Sequence, residues 1–370
     1  MSKENKAFKY RLYPNAMQEE YFQKTFGCCR KIWNLMLNDK IEHYQKTKKY
    51  LSTNPADYKD EYPFLREVDS LALTSEWMNL ETAFKNFFRD KRIGFPKFKS
   101  KHKDRNSYTT NNLQNNIRIV KGGIRLPKIG EVKAKIHRIA PNSYKLKRAT
   151  ISQEADGSYY VAVLYEYEQE EGFVEVYDKR IIGFDYKSDG LYMDSNGHCC
   201  DMPHYFRESQ KKLAKEQRKL SKMTKGSNNY NKQKKKVAKL YRHIANQRLD
   251  FLHKESTKIA NLYELVVVED LNMKAIANKK MHNGKATLDN GYGIFLNLLE
   301  YKLKDRYKYL IKVDKYFPST QRCSRCKHKQ KLDLDQRVYN CPNCGLSIDR
   351  DLNAAINIKH EGMNIFLRAS

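Results

Sequence analysis

The sequence predicts a multidomain α/β protein, and three observations carry that expectation. At 370 residues the chain exceeds one ordinary core and implies roughly two to three domains. A hydrophobic content of 40% supplies packed cores and excludes wholesale disorder. The element pattern also changes along the chain, from helices, to short strands, to strands alternating with helices.

The opening "KAFKYRLYPN" alternates as a strand and stops at a Tyr-Pro-Asn turn. From Ala16 to about Tyr50, Phe22, Phe26, Ile32, Trp33, Leu35 and Leu37 form a helical apolar stripe. A second helical stretch, "VDSLALTSEWMNLETAFKNFFRD", places Leu80, Phe84, Phe87 and Phe88 at helical spacing for core packing. Gly and Pro in "KRIGFPKFKSK" end it, and short strands with turns follow to about residue 178. The expectation is a β-rich barrel or sandwich into which the two helices are inserted.

After Asp178 come three meandering strands, "RIIGFDYK", "GLYMDS" and "HCCDMP", separated by Gly-containing turns. A basic helical region runs from Tyr205 to Leu262, broken near "KGSNNYN". The run Leu265-Val266-Val267-Val268 suits a strand buried on both faces. A helix, a further strand "LIKVDKYFPS" and a final helix "DRDLNAAINIK" complete the pattern. That order matches an RNase H-like fold with insertions after its first helix and its fifth strand.

The balance of 71 Lys and Arg against 43 Asp and Glu gives a net charge of +28. A small acidic substrate needs only a few cations, so an excess this large points to a polyanion, with a merely well-charged surface as the alternative. Between Arg207 and Lys258 stand 17 basic and 4 acidic residues, too few acids for salt-bridged helices and a good match to phosphate neutralisation. No membrane span or secretory signal is visible, and a cytoplasmic protein is expected, to which the family resemblance given below adds nucleoid association. Cysteines in such a compartment read as metal ligands or buried thiols. Cys323, Cys326, Cys341 and Cys344 form two C-x-x-C knuckles, the spacing of a closed tetrahedral zinc shell with no open position. The adjacent pairs Cys28-Cys29 and Cys199-Cys200 read as core or surface thiols.

Three carboxylates suggest chemistry. Asp185 closes the apolar run from Ile181, and Glu269 closes the valine run, so both stand at strand ends, where open α/β sheets gather ligands. In "SIDRDLNAAI", a helix beginning at Asp349 makes that residue the N-cap. Asp351 is then in line with Ala354, Ala355 and Ile358 on an inward face. Carboxylates converging from separate elements suit Mg²⁺ or Mn²⁺, and two such ions serve phosphodiester hydrolysis.

Six segments, "GFDYKSDGLYMDSNG", "KLAKEQRKLSK", "HIANQRLDFLHKEST", "VVVEDLNMKAI", "KVDKYFPSTQRCSRC" and "CPNCGLSIDRDLNAAINI", give the chain a resemblance to the TnpB family, OrfB-type proteins of prokaryotic insertion sequences related to type V CRISPR effectors. The resemblance spans essentially the whole chain. It implies an RNA-guided DNA endonuclease that takes a guide RNA from the transposon end and cuts double-stranded target DNA beside a short transposon-adjacent motif. The acids carried over by motif are Asp185, Glu269 and Asp351, holding two Mg²⁺ or Mn²⁺ ions, with one structural Zn²⁺ on the four cysteines. The implied architecture is a RuvC-type (RNase H-like) nuclease domain with a zinc-ribbon insertion, plus an N-terminal β-barrel wedge domain with an inserted helical recognition domain. Its boundaries are 1–14 (wedge strand), 15–100 (recognition), 101–178 (wedge barrel), 179–318 (nuclease), 319–348 (ribbon) and 349–370 (final nuclease helix). Tyr108, Thr109, Thr110 and Asn111 are candidates for reading the DNA motif, with a polar loop as the alternative. A guided repressor that no longer cuts and a compact type V effector are the alternative functions. At Tyr186-Lys187-Ser188 the chain departs from the glycine-containing turn of many relatives.

Overall fold

The computed structural model describes residues 2–170, 172–277, 287, 289–333 and 336–369. They form two compact units, Met1–Glu171 and Gly172–Ser370.

In the first unit, β1 (Ser2–Leu12) stops at Pro14, and Asn15 opens the 32-residue helix α1 (Ala16–Thr47). The Asn15 side chain accepts from the Gln18 amide at 2.9 Å, while Gln18 Oε1 accepts from the Asn15 amide at 3.1 Å. This capping box satisfies two otherwise orphaned donors. Helix α2 (Ser70–Arg89) follows, capped by Asp69, whose Oδ1 accepts from the Leu71 amide. The strands β2 (Ser107–Asn111), β3 (Arg118–Val120), β4 (Gly123–Leu126), β5 (Gly130–Lys135), β6 (Lys145–Gln153) and β7 (Tyr159–Gln169) complete the unit. With β1 they make a seven-stranded antiparallel sheet of order β2-β6-β7-β1-β5-β4-β3, so the first strand lies inside the sheet and both helices are inserted after it. Among the described residues β2 and β3 are its edges. Phe22, Phe26, Leu37 and Leu80 of the helices share one core with Tyr108, Ile151 and Val161 of the sheet.

The second unit is built on β8 (Ile181–Tyr186), β9 (Tyr192–Asp194), β10 (Cys199–Cys200), β11 (Leu265–Glu269) and β12 (Tyr309–Val313), in the order β10-β9-β8-β11-β12. The first three strands are antiparallel, and β8, β11 and β12 run parallel. The basic region forms α3 (Tyr205–Ser221) and α4 (Asn228–Leu262), interrupted where Ser227 caps α4 by accepting from the Tyr230 amide. Helix α5 (Tyr292–Lys304) precedes β12. The short β13 (Val338–Asn340) and β14 (Ser347–Asp349) pair as a hairpin before the final helix, α6 (Arg350–Ala369).

Both faces of the parallel strands are covered, as the unbroken apolar runs require. Ile182, Phe184, Val266 and Val268 pack with Leu252 of α4 and with Phe295 and Leu299 of α5. Ile181, Leu265 and Val267 pack with Ile358 and Phe366 of α6. Burying each such side chain contributes about 1.5–3 kcal/mol. The α6 face is unusually close. A Cβ on Gly183 would stand 2.5 Å from the Ala355 carbonyl oxygen and 2.6 Å from the Lys359 amide nitrogen, and one on Gly362 would stand 2.2 Å from Val267 Cγ1. Glycine on the strand and alanine or glycine on the helix are therefore required for this packing distance.

Gly183→Ala is accordingly expected to push α6 off the sheet and to destabilise the protein by about 1–3 kcal/mol. Denaturant unfolding with the slope held constant checks this, and an unchanged midpoint would show that the helix has room.

Candidate active site

Parallel register brings the first two acids together. Gly183 stands opposite Val267 and Phe184 opposite Val268. The next residues are Asp185 and Glu269, so they lie side by side where both strands end, on strands about 4.8 Å apart. Since Ile181, Leu265 and Val267 face α6, the two-residue period turns Asp185 and Glu269 toward α6 as well.

Helix α6 supplies the third. Asp349 Oδ1 accepts from the amides of Asp351 and Leu352, both at 2.9 Å, which makes Asp349 the cap. Asp351 stands in the first turn, half-buried, while Ala354, Ala355 and Ile358 are fully enclosed. The Arg350 guanidinium lies 3.3 Å from Asp351 Oδ1.

The electrostatics follow from this placement. Burial pushes the Asp185 carboxyl well above the usual range, and the charges of Glu269 and Asp351 push it further, against the Arg350 cation. Burial also raises Glu269, against a hydrogen bond donated by the Ser319 hydroxyl to Oε1. Tyr292 is raised by burial and by the nearby charges of Asp185 and Glu269, and among the described residues its enclosed hydroxyl has no hydrogen-bond partner. Beside Glu269 opens a cavity of about 650 Å³ lined by Asp270, Thr287, Tyr292, Asn297 and Lys312 among others. A desolvated set of oxygen donors that repel one another, with an orphaned phenol beside it, fits hard divalent cations.

The four thiols also lie close together. Among the described residues they are the one group of three or more His, Cys, Asp or Glu whose ligand atoms all lie within 4.8 Å of one another. The four cysteines suggest a zinc site. Both knuckles turn the same way: Lys327 at φ +64° donates its amide to the Cys323 carbonyl, and Gly345 at φ +68° donates to the Cys341 carbonyl. Residues 334–335 of the ribbon lie outside the described residues. Cys28, Cys29 and Cys200 are buried thiols and Cys199 is half-buried.

The four candidates for DNA-motif reading form strand β2 rather than a loop. Tyr108 and Thr110 point inward: Tyr108 packs on Phe22 and Phe26, and the Thr110 hydroxyl donates to Asp69 Oδ2. With 3% and 0% exposure they are removed from direct contact by burial. Thr109, bonded to Thr150 at 2.9 Å, and Asn111 are half-buried.

Tyr292, Ser319, Asn353 and Asn357 were missed by reasoning from sequence. The two asparagines carried a readable signal, since "NAAIN" places them beside the inward alanines of α6.

The basic helices are ordered too. Arg207, Lys211, Lys215, Arg218 and Lys222 recur along one face of α3. On its other side Glu216 accepts from Gln233 Nε2 at 2.7 Å and pairs with Lys236 at 3.1 Å, contacts that hold it down to about 2 and tie α3 to α4.

The chain is thus an α/β protein whose second unit gathers three acids beside one end of a mixed sheet. A family model described as "Probable transposase" (OrfB_IS605) matches residues 165–280, one described as "Cas12f1-like, TNB domain" matches 292–358, and one described as "Helix-turn-helix domain" matches 1–49. Among the described residues of that span, 2–49, this chain has one strand and one long helix. A "Putative RNA-guided DNA endonuclease" of Streptomyces pristinaespiralis is 32% identical over 375 residues, covering 98% of this chain and 90% of its own. The "Putative RNA-guided DNA endonuclease InsQ" of Escherichia coli (strain K12) is 31% identical over 381 residues, covering 96% and 92%. An electron cryomicroscopy structure of a Cas12f1–sgRNA–target DNA complex shares the fold, with a TM-score of 0.58 and 15% identity over 93% of this chain and 83% of that one. The chain belongs to the OrfB, or TnpB-like, family of putative RNA-guided DNA endonucleases. Among the described residues no helix is long and apolar enough to cross a membrane.

The raised Asp185 has a consequence for stability. Without divalent cations the folded chain keeps a proton that the unfolded chain loses above about pH 4. Stability from this source is complete below that value and is lost as pH rises through the raised one. Asp185→Asn should therefore melt higher than the parent at neutral pH without added divalent cations, and the gap should close toward pH 4. Melting scans over that range check both signs.

Proposed function

We propose that this protein is an RNA-guided DNA endonuclease whose second unit is a RuvC-type, RNase H-like nuclease, with Asp185, Glu269 and Asp351 holding two Mg²⁺ or Mn²⁺ ions. The observation that carries this reading is the meeting of three acids, from two parallel strands and the closing helix, in a chain of net charge +28. When bound, such an ion pair stabilises the attacking and leaving oxygens of a phosphodiester. The chain's own residues do the rest. Parallel register orients Asp185 and Glu269, the Asp349 cap fixes the helix start that carries Asp351, and Arg350 moderates their repulsion. The four cysteines hold one structural Zn²⁺, with all four positions taken by protein.

The first unit is read as a wedge domain, its sheet, with α1 and α2 as the recognition insertion. Thr109 and Asn111 are the members of β2 left for a DNA contact. The guide RNA is assigned to the transposon end, and base pairing to it supplies most of the sequence specificity. The α3 stripe is assigned to a phosphate backbone, because like charges at i, i+4 repel unless a polyanion meets them.

Asp351→Ala is expected to fold, to retain RNA, and to lose cleavage of a guide-matched duplex carrying the adjacent motif. Asp349→Ala should cost about 0.5–2 kcal/mol of stability and keep cutting. Cleavage assays and melts of both variants, with sequencing of the co-purified RNA, decide the assignment, and equal loss in two folded proteins would overturn it. Changing Lys211, Lys215, Arg218 and Lys222 to Gln should lower the slope of log affinity for nucleic acid against log salt by about 3, read from binding titrations at several salt concentrations.

A further inference from the structure

We propose that Ser319 is a positioning residue for Glu269 and that Asn357 on α6 holds Ser319 in place, so that the cysteine ribbon and the carboxylates share one hydrogen-bonded frame. This rests on the reading of Glu269 as a metal ligand.

Ser319 stands just after β12, four positions before Cys323, and is 5% exposed. Its hydroxyl donates to Glu269 Oε1 and its carbonyl accepts from Asn357 Nδ2 at 2.9 Å. Asn357 also donates to the Arg322 carbonyl at 2.6 Å. One turn earlier, Asn353 donates to the same carbonyl at 2.8 Å and accepts from the Ser324 amide at 2.9 Å. Both asparagines are buried, at 0% and 2% exposure, on the helix that carries Asp351.

The segment from Ser319 to Ser324 is thus fixed to α6 through its backbone, and its first residue reaches back to the strand-end glutamate. A carboxylate has two oxygens that can coordinate. A donor held on one of them leaves the other lone pairs for a cation and sets the rotation of the group. The serine hydroxyl is suited to this because it is short, and because Asn357 fixes the backbone from which it extends. A buried amide that made only local packing contacts would have no reason to span two carbonyls of a distant loop.

The test uses Ser319→Ala and Ser319→Thr in the full-length protein, with wild type and Asp351→Ala beside them. Mn²⁺ binding to the nucleic-acid-free chain is titrated by electron paramagnetic resonance. Single-turnover cleavage by the guide complex is measured against Mn²⁺ concentration. Zinc content and melting temperature report the fold. Ser319→Ala is expected to keep its zinc and fold, to weaken Mn²⁺ binding by about 10–100-fold, and to need correspondingly more Mn²⁺ for half-maximal cutting. Ser319→Thr should restore both. Unchanged Mn²⁺ affinity and metal dependence in a folded Ser319→Ala would overturn the proposal. Its failure differs from failure of the functional reading, in which wild type itself neither binds Mn²⁺ through Asp351 nor cuts. Should Ser319→Ala lose zinc or unfold, Asn357→Ser decides in the same assays: the proposal predicts the same weakening of Mn²⁺ binding, and wild-type metal dependence would overturn it.

Discussion

The burial of Asp185 beside two further carboxylates is the constraint around which the second unit is organised. Asp185 has the least access to water and the strongest upward push, from burial and from both neighbours. Nothing in that arrangement favours folding, so it has to be held by contacts elsewhere. They are the apolar strand residues on both faces and, above all, the seat of α6 on Gly183 and Val267 at a distance that only Gly or Ala allows. The burial of Ile181, Val267 and Ile358 offsets the electrostatic cost. Close helix packing and acid convergence are therefore one feature, since a helix set further out would carry Asp351 away.

How far this was readable depends on the range of the interactions. The strand-end positions of Asp185 and Glu269 follow from runs of four apolar residues, and the separation of Asp349 from Asp351 follows from one helical turn. Such local rules transfer directly from sequence. The cysteine spacing is local as well, although the left-handed turn at Lys327 is not predictable where no glycine stands. What stayed hidden depends on partners distant in the chain. Ser319 is one serine among many until β11 and α6 are packed around it. The extent of Asp185 burial is likewise set by every element that covers it.

Strand β2 shows the converse. Its "SYTTN" run is polar enough to suggest either a DNA contact or a plain polar loop, and its residues alternate buried and half-buried along an edge strand. Thr110 is tolerated inside because Asp69, while capping α2 through one oxygen, accepts the threonine hydroxyl with the other. A buried hydroxyl that is fully satisfied needs no functional explanation. The family's helix-turn-helix description is similarly answered by geometry, because the capping box at Asn15 starts one uninterrupted helix.

The position of the four-cysteine segment follows from strand direction. Strand β12 runs parallel to β11, with Val313 opposite Glu269, so it ends at the same edge as the acids. Helix α6 begins at that edge and returns across the sheet, its first turn carrying Asp351. The connection from β12 to α6 therefore starts and finishes beside the carboxylates, and an insertion there leaves every sheet pairing intact while loop-closure cost rises only slowly with length. Its two ends are held differently. Asn353 and Asn357 clasp the outgoing segment Ser319–Ser324, whereas the return runs through β14 into the Asp349 cap, with the Arg350 amide donating to the Arg337 carbonyl at 2.8 Å. The segment that carries the cysteines is therefore hydrogen-bonded to α6 at one end and continuous with the Asp349 cap at the other.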